Sequence, residues 1–341
     1  MYTRILLCAF GVLTTLGMQA QDPMFSQFQA APLHINPAFA GVTFAPRLTL
    51  NYRNQWAQIS GGYQTYAASY EQPIEAANSG FGIILMADDA MDGVYKTNRF
   101  SGVYGYRLQV TNDAFIKFGV EAGMIRSTLD WDRLQFGDQI DPIDGFEDPS
   151  GNPNQSAEQR PENLNSTAID VSAGLLIYNR KFYGGVSIKH INNPDDSFFE
   201  INKNLGAGIP MRITLHGGAE FEVKRGNNRN APTFISPNVL VVKQGDFGQV
   251  NIGVYGGFGQ FFGGVYYRQG FSNADAAMIL AGFREGILRI GYSYDFTISQ
   301  LASANPGGTH EISLTINFDD SRELKSRRHK SRYNDCFKMF K

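Results

Sequence analysis

Apolar and polar residues alternate along most of the chain beyond residue 45, and the alternation recurs in segment after segment. Between Lys117 and Met124, for example, every second residue is apolar, and the residues between them are charged or glycine. Successive side chains of a β-strand point to opposite faces, so the pattern predicts strands with one apolar and one polar face. The predicted strands cover residues 47–56, 63–72, 80–88, 95–110, 114–129, 166–178, 182–192, 210–224, 233–243, 248–258, 261–270, 276–284, 287–298 and 309–318.

Strand length and the order of the connections distinguish a membrane barrel from a soluble sandwich, which would also alternate. Many of these segments match the about 9–11 residues that a strand needs to cross a bilayer. Short connections at 111–113, 179–181, 259–260 and 285–286 alternate with long ones at 130–165, 193–209 and 299–308. Bacterial barrels place short turns in the periplasm and longer loops outside. We therefore predict an all-β fold, a transmembrane antiparallel β-barrel of about fourteen strands over residues 47–318, integral to the outer membrane with both termini periplasmic.

The two ends of the chain differ from the barrel region. Residues 1–20 combine Arg4, a short apolar run and the small residue Ala20, which predicts a signal peptide. Residues 319–341 carry eight Lys and Arg against four Asp and Glu. This basic C-terminal periplasmic tail is either a solvated end or an electrostatic handle for a partner. Cys336 would then be the one cysteine left after cleavage, so an internal disulfide is not expected.

Composition narrows the classes of function. The chain has 37 Gly, 16 Tyr and 26 Phe, a mixture that suits strands, turns and membrane-interface belts. A formal charge of -2 argues against a nucleic-acid partner. The five histidines form neither a zinc motif nor a recognisable catalytic triad, so we expect no enzyme activity, no cofactor and no metal. The acidic loop 130–165 is interpreted as a solvated surface loop, with Ca²⁺ binding as the alternative.

Charged residues on the polar strand faces predict a salt-bridged barrel interior. These lumen-facing charges are Lys117, Glu121, Arg126, Lys189, Arg212, Glu220, Glu222, Arg289 and Asp295. Either they pair with one another and fill a narrow lumen, or they line a selective path for ions or solutes.

The last strand alternates as a lipid-facing strand should. Its apolar residues, with a terminal aromatic, resemble the signal that barrel-insertion machinery recognises; they are Ile312, Leu314, Ile316 and Phe318.

Residues 21–46, ahead of the first strand, are both apolar and rich in proline. Pro23, Pro32 and Pro37 prevent a regular helix or a central strand, yet the aromatic residues need a surface on which to be buried. The segment is therefore predicted either to plug the barrel or to bind a partner. Its candidate residues are Asp22, Pro23, Phe25, Ser26, Gln27, Phe28, Asn36, Pro37, Phe39 and Gly41.

Two motifs resemble one family of Bacteroidetes outer-membrane proteins, the PorP/SprF family. The first is Asp-Pro-x-Phe-Ser-Gln at residues 22–27, followed by Asn-Pro-Ala-Phe-Ala-Gly at 36–41. The second is Gly-Thr-His-Glu-Ile-Ser-Leu at 308–314, and the strand layout matches from residue 22 to 318. Phe28 and Phe39 stand where the family often has Tyr, and the family's His-x-x-x-Pro stretch is matched only loosely at 190–194.

The resemblance implies a function that the residues alone do not. It implies a non-enzymatic outer-membrane component of the type IX secretion system that supports secretion or surface anchoring of a cognate adhesin-like protein, including adhesins of gliding motility. The implied partners are outer-membrane lipid, the secreted surface adhesin and the periplasmic ring components of that system. A general outer-membrane solute channel is the alternative.

Overall fold

The protein is described from a computed structural model, which describes residues 21–143, 145–198, 208–224, 233–299 and 307–318. Fifteen strand segments form a single antiparallel sheet. They are Arg47–Gln55 (β1), Tyr63–Ile74 (β2), Ser79–Ala90 (β3), Tyr95–Gln109 (β4), Phe115–Leu129 (β5), Asn165–Tyr178 (β6), Phe182–Lys189 (β7), Arg212–Ala219 (β8), Phe221–Lys224 (β9), Thr233–Gln244 (β10), Phe247–Phe258 (β11), Phe261–Gly270 (β12), Ala274–Glu285 (β13), Leu288–Thr297 (β14) and Thr309–Asn317 (β15).

The sheet closes on itself, because β1 pairs with both β2 and β15 and each later strand pairs with its neighbours around the ring. Strands β8 and β9 are one wall strand interrupted at Glu220. The facing strand carries Pro237 near this point, and proline has no N–H to donate to a ladder. The barrel therefore has fourteen strands, which confirms the predicted fold class.

The alternation along each strand separates an apolar outer surface from a polar interior. In β5, Phe118, Val120 and Met124 are exposed on the outside, while Lys117 and Glu121 are buried inside. Such a surface suits lipid, because the ladder of a closed barrel pairs every strand and because apolar side chains cover the outer face between the rims. Among the described residues, no helix is both long enough and apolar enough to cross a membrane.

The two rims of the barrel differ. One rim, here named the loop end, carries the connections 130–164 and 190–211. The opposite rim, the turn end, carries tight connections such as 110–114, 179–181 and 259–260. β1 begins and β15 ends at the turn end.

Strand β7 is shorter than predicted and ends at Lys189 instead of residue 192. His190 follows with a positive φ of 59°, which turns the chain out of the wall. Its ring then lies inside the barrel, where it contacts the segment that precedes β1.

That segment, residues 21–46, is named the N-terminal segment and lies inside the lumen. It contains two short 3₁₀ turns, Phe28–Ala30 and Pro37–Phe39, and one helical turn, Pro32–Ile35 (α1). Proline begins α1 and the second turn, where its missing N–H has no partner to lose.

Candidate functional site: the N-terminal segment inside the barrel

The N-terminal segment fills the space that an open barrel would leave for a channel. Phe25, Phe28 and Phe39 are buried, as are the polar residues Ser26 and Asn36. Of the ten residues proposed from the sequence as plug or partner-binding, the others are also inside the barrel: Asp22, Gln27 and Pro37 are buried, and Pro23 and Gly41 are half-buried. All ten are therefore placed against the inner wall.

The first anchor of the segment is a charged group around Asp22 at the loop end. The Asp22 carboxylate contacts the guanidinium of Arg99, lies 2.9 Å from Nη1 of Arg212 and lies 2.7 Å from Nε2 of His190. Nδ1 of the same histidine lies 2.9 Å from Oδ1 of Asp170. We name these five residues the Asp22 cluster. It joins residue 22 to three different strands and to the residue after β7.

The charges in this cluster fix one another's protonation. Burial raises the pKa of Asp22, but the charges of Arg99 and Arg212 and the hydrogen bond with His190 outweigh burial and hold the pKa well below 3.8. Burial lowers the pKa of His190, but the carboxylates of Asp170 and Asp22 outweigh it and raise the pKa above 6.5. The cluster therefore holds an ionised aspartate beside a histidine that favours its charged form.

The second anchor brings together the two motifs that carry the family resemblance. The backbone N–H groups of Ser26 and Gln27 each donate to the carboxylate of Glu311 at 2.8 Å. The Gln27 amide donates to the Glu311 carbonyl at 3.0 Å and accepts from the Ser313 hydroxyl at 2.7 Å. The Ser26 hydroxyl donates to Asp295 at 2.6 Å. Ser26 and Gln27 of the first motif are therefore hydrogen-bonded to Glu311 and Ser313 of the second motif.

The third anchor is a row of glycines in the wall. Gly80, Gly105, Gly119 and Gly174 belong to β3, β4, β5 and β6, and each pairs with the next across the sheet. A Cβ atom on any of the four would come within 3.0 Å of residues 36–41. This glycine row therefore lets the backbone of the segment lie directly on the backbone of the wall.

Hydrogen bonds hold the segment in that seat. The Asn36 amide donates to the carbonyls of Leu175 and Val186 at 3.0 and 3.2 Å, and the Ser187 hydroxyl donates to the Ile35 carbonyl at 2.5 Å. The ammonium of Lys117 donates to the Ala40 carbonyl at 2.6 Å. The wall thus bonds to the backbone of the segment as well as packing on it.

Two small cavities lie between the segment and the wall. One internal cavity beside Gly41 and Lys117 has a volume of about 10 Å³, and another beside Pro23, His34 and Arg99 has about 20 Å³. A cavity of this size holds about one water molecule. The arrangement suits closure of the lumen better than passage through it.

Seven of the nine charges that the sequence assigned to the lumen are buried in the interior. Lys189 pairs with Glu121 at 2.9 Å, Asp295 lies 3.2 Å from Arg268, and Arg289 lies over the ring of Phe262 at 4.7 Å. The buried ones are Lys117, Glu121, Lys189, Arg212, Glu220, Arg289 and Asp295. Most of them thus have partners in the wall or in the N-terminal segment.

The prediction was wrong for Arg126, which is exposed on the outer face. It is an even number of residues from the lipid-facing Phe118 and Met124, so it shares their side of the strand. It lies near the loop end, where its guanidinium donates to the Asn165 amide oxygen at 3.3 Å. Glu222 is also exposed rather than enclosed, because β9 lies at the turn end of the wall.

The last strand has its predicted alternation. Ile312 and Phe318 are exposed on the outer face, Leu314 and Ile316 are partly so, and Glu311 lies inside. An insertion signal in this strand stays a prediction.

In the acidic loop, carboxylates bond to nearby backbone rather than converging on a point. Asp148 accepts from the N–H groups of Ser150 and Asn152, and Asp138 accepts from Ala157. Within the described residues there is no group of three or more possible metal ligands. The signal peptide (1–20), the basic tail (319–341) and Cys336 lie outside the described residues.

Residue 22 and residue 318 lie at opposite ends of the barrel. Asp22 contacts Arg212 and Gln244, which begin β8 and end β10 at the loop end, whereas Phe318 follows β15 at the turn end. The N-terminal segment therefore runs through the lumen from the loop end to the turn end, where β1 begins. The side of the membrane on which each terminus lies stays a prediction.

Sequence reasoning did not find several residues of the site, including Arg53, Arg99 and Asp170. Each lies on the polar face of a predicted strand, but its link to a segment far away in the chain depends on the closed barrel. The glycine row was also missed. Gly80 and Gly105 lie at equal distances from the turn between β3 and β4, and Gly105 and Gly119 lie at equal distances from the turn between β4 and β5. This symmetry could have predicted that the three glycines are neighbours in the sheet.

The fold and the site define a class: a membrane-spanning β-barrel whose lumen is occupied by its own N-terminal segment. The chain belongs to the PorP/SprF family, whose model, described as "Type IX secretion system membrane protein PorP/SprF", matches residues 17–316. It is accordingly an integral outer-membrane protein and a membrane component of type IX secretion.

Outer-membrane barrels are among the solved structures that are similar to the chain. A CymD monoaromatic hydrocarbon channel has 13% identity and a TM-score of 0.41, with 89% of this chain and 95% of that chain covered. A TodX monoaromatic hydrocarbon channel mutant has 10% identity and a TM-score of 0.41, with 84% and 92% covered. Such distant similarity carries no functional argument. No curated protein matches the chain.

Proposed function

We propose that this protein is a non-enzymatic component of the type IX secretion system that supports secretion or surface anchoring of a cognate adhesin-like protein, with gliding motility as one process served. Its partners in this proposal are the secreted adhesin on one side of the membrane and periplasmic ring components on the other. The turn end then faces the periplasm, and the loop end faces the cell exterior.

The occupied lumen is the observation that supports this role over a solute channel. A channel needs a continuous polar path, whereas here residues 22–41 are bonded to the wall from the Asp22 cluster to the glycine row. A sealed barrel can still hold and orient a partner on its rim or outer surface. We therefore propose that the protein acts at its rim or outer surface and not through its lumen.

The role is tested by deleting the gene in the native host and restoring it with the intact chain. We expect surface labelling of the adhesin to fall sharply in the deletion strain and to return on complementation. Uptake of small hydrophilic solutes should not change. Normal adhesin display together with a loss of solute uptake would instead support the channel alternative.

A further inference from the structure

Strand β6 has an edge that its neighbour leaves uncovered at the loop end. On one side it pairs with β5 as far as the pair of Thr128 with Asn165. On the other side it pairs with β7 only from Ala173 to Tyr178. Residues 165–172 are therefore a formed strand with a wall partner on one side only.

Beyond the last residue pair of β6 and β7, the side chain of Asn192 bonds to the backbone of β6. Its amide oxygen accepts from the N–H of Val171 at 3.0 Å, and its amide nitrogen donates to the Ile169 carbonyl at 2.6 Å. Ile191 N–H donates to the Val171 carbonyl at 3.0 Å. Odd-numbered residues of β6 thus point their backbone groups to this side, and beyond Ile169 the next are Thr167 and Asn165. Among the described residues, the backbone of these two has no partner there.

The uncovered edge lies above the lipid boundary. Phe100, Met124 and Ile169 form one cross-strand row of apolar residues on the outer face. In the next row toward the loop end, Asn98, Arg126 and Thr167 are polar. The edge at 165–168 therefore lies on the water side of this boundary, and no described residue pairs with its free side.

The surrounding charge selects the partner. The loop 130–165 carries nine Asp and Glu against Arg133 and Arg160. Arg160 lies 2.9 Å from Asp132, and Arg133 donates to the Asp92 carbonyl at 2.8 Å. Two arginines do not balance nine carboxyl groups. An approaching chain meets an excess of negative charge, which favours basic side chains.

We propose that residues 165–168 of β6 form a docking edge for an extended, basic strand of the secreted partner protein, which adds to the barrel wall by β-strand pairing. Exposed strand edges are templates for such addition, with main-chain hydrogen bonds giving the affinity. This inference rests on the proposed function for the identity of the partner. The presence of the strand edge does not depend on the proposed function.

The first test uses purified full-length protein and a synthetic peptide of alternating valine and lysine as the probe. Thr167→Pro removes one N–H on the uncovered side and leaves the ladder with β5 intact, whereas the control Thr167→Val keeps the N–H. We expect the proline variant to bind about tenfold more weakly, the equivalent of one hydrogen bond, and the valine variant to bind normally. Equal binding by both variants, or absence of binding by the wild type, would overturn the docking edge.

The second test places a photo-crosslinking amino acid at position 167 in living cells that export the adhesin. We expect an adduct with the adhesin, and we expect Thr167→Pro to reduce adhesin display. An adduct only with residues 199–207 of the same chain would show that the chain covers its own edge, and it would overturn the proposal. Peptide binding lost with display unchanged would overturn the partner assignment alone. Failure of the proposed function would instead appear as normal display without the gene.

Discussion

The two halves of the N-terminal segment are held in different ways. Residues 22–27, toward the loop end, depend on charges and hydrogen bonds from the Asp22 cluster and from Glu311. Residues 36–41, deeper in the barrel, depend on close backbone packing against the glycine row. The strength of electrostatic contacts changes with pH and with loss of a partner, whereas close packing is weakened by a change in side-chain volume. The first half is thus suited to release and the second to permanent closure.

The largest expected effect is on the packed half. The double variant Gly119→Ala and Gly174→Ala would push methyl groups into Ala38 and Asn36, and overpacking costs about 1–3 kcal/mol or more at each site. Because residues 36–41 connect β1 to the rest of the segment, we expect the whole segment to leave its seat and the barrel to conduct ions in planar bilayers. The control is Gly184→Ala, whose nearest atom would be 3.8 Å away. A double variant that does not conduct would show that the contact between the glycine row and residues 36–41 can accommodate the added methyl groups.

A smaller effect on conductance is expected from Asp22→Ala, which acts on the charged half and leaves the packed half in place. It leaves Arg99 and Arg212 without their shared carboxylate, and breaking a buried ion pair typically costs about 3–5 kcal/mol. We expect residues 22–27 to become accessible to a protease added from the loop side, with residues 36–41 still seated and conductance only partly raised. Asp113→Ala, in an exposed pair with Arg180, serves as the control and should change neither readout. Protease resistance equal to that of the wild type would show that the Asp22 cluster does not hold residues 22–27 in the barrel.

The pH dependence should be weaker still. The pKa of His190 is raised above 6.5 by Asp170 and Asp22, so its charged form stabilises the cluster fully below pH 6.5, and this contribution is lost as the pH rises through the raised pKa. The cationic side chains of Arg99, Arg212 and Lys189 also face the cluster. We expect protease access to residues 22–27 to increase in alkali in wild type and to be independent of pH in His190→Gln. Release on acidification from pH 7 to 6 would contradict the assignment.

The smallest effect is expected from Ser187→Ala. It removes one hydrogen bond, at 2.5 Å, to the Ile35 carbonyl, which is worth about 0.5–1.5 kcal/mol. Thermal unfolding should shift slightly while the lumen stays closed, because the glycine row still fits residues 36–41. Opening of the lumen by this change alone would mean that the two halves are not held independently.

The sequence predicted the wall far better than its contents. Period-two alternation placed fourteen strands because every strand of a barrel repeats one local rule, visible within residues 114–129 alone. The error at Arg126 arose within that rule, since its position matches Met124 and not Glu121. The prolines of residues 21–46 showed that the segment needed a burial surface, but not which one. The burial surface includes Glu311 and Gly174, which are far from this segment in the sequence. Their positions beside it depend on the pairing registers of strands joined by long loops, which the sequence pattern does not determine.

We propose that residues 21–46 seal the barrel, so that its function lies outside the lumen. Planar-bilayer conductance of the purified full chain, compared with a variant lacking residues 23–39, tests this most directly. We expect no steady conductance from the full chain and stable open pores from the deletion variant, since the deletion removes none of the wall strands. Open pores of the same size in both proteins would contradict the claim.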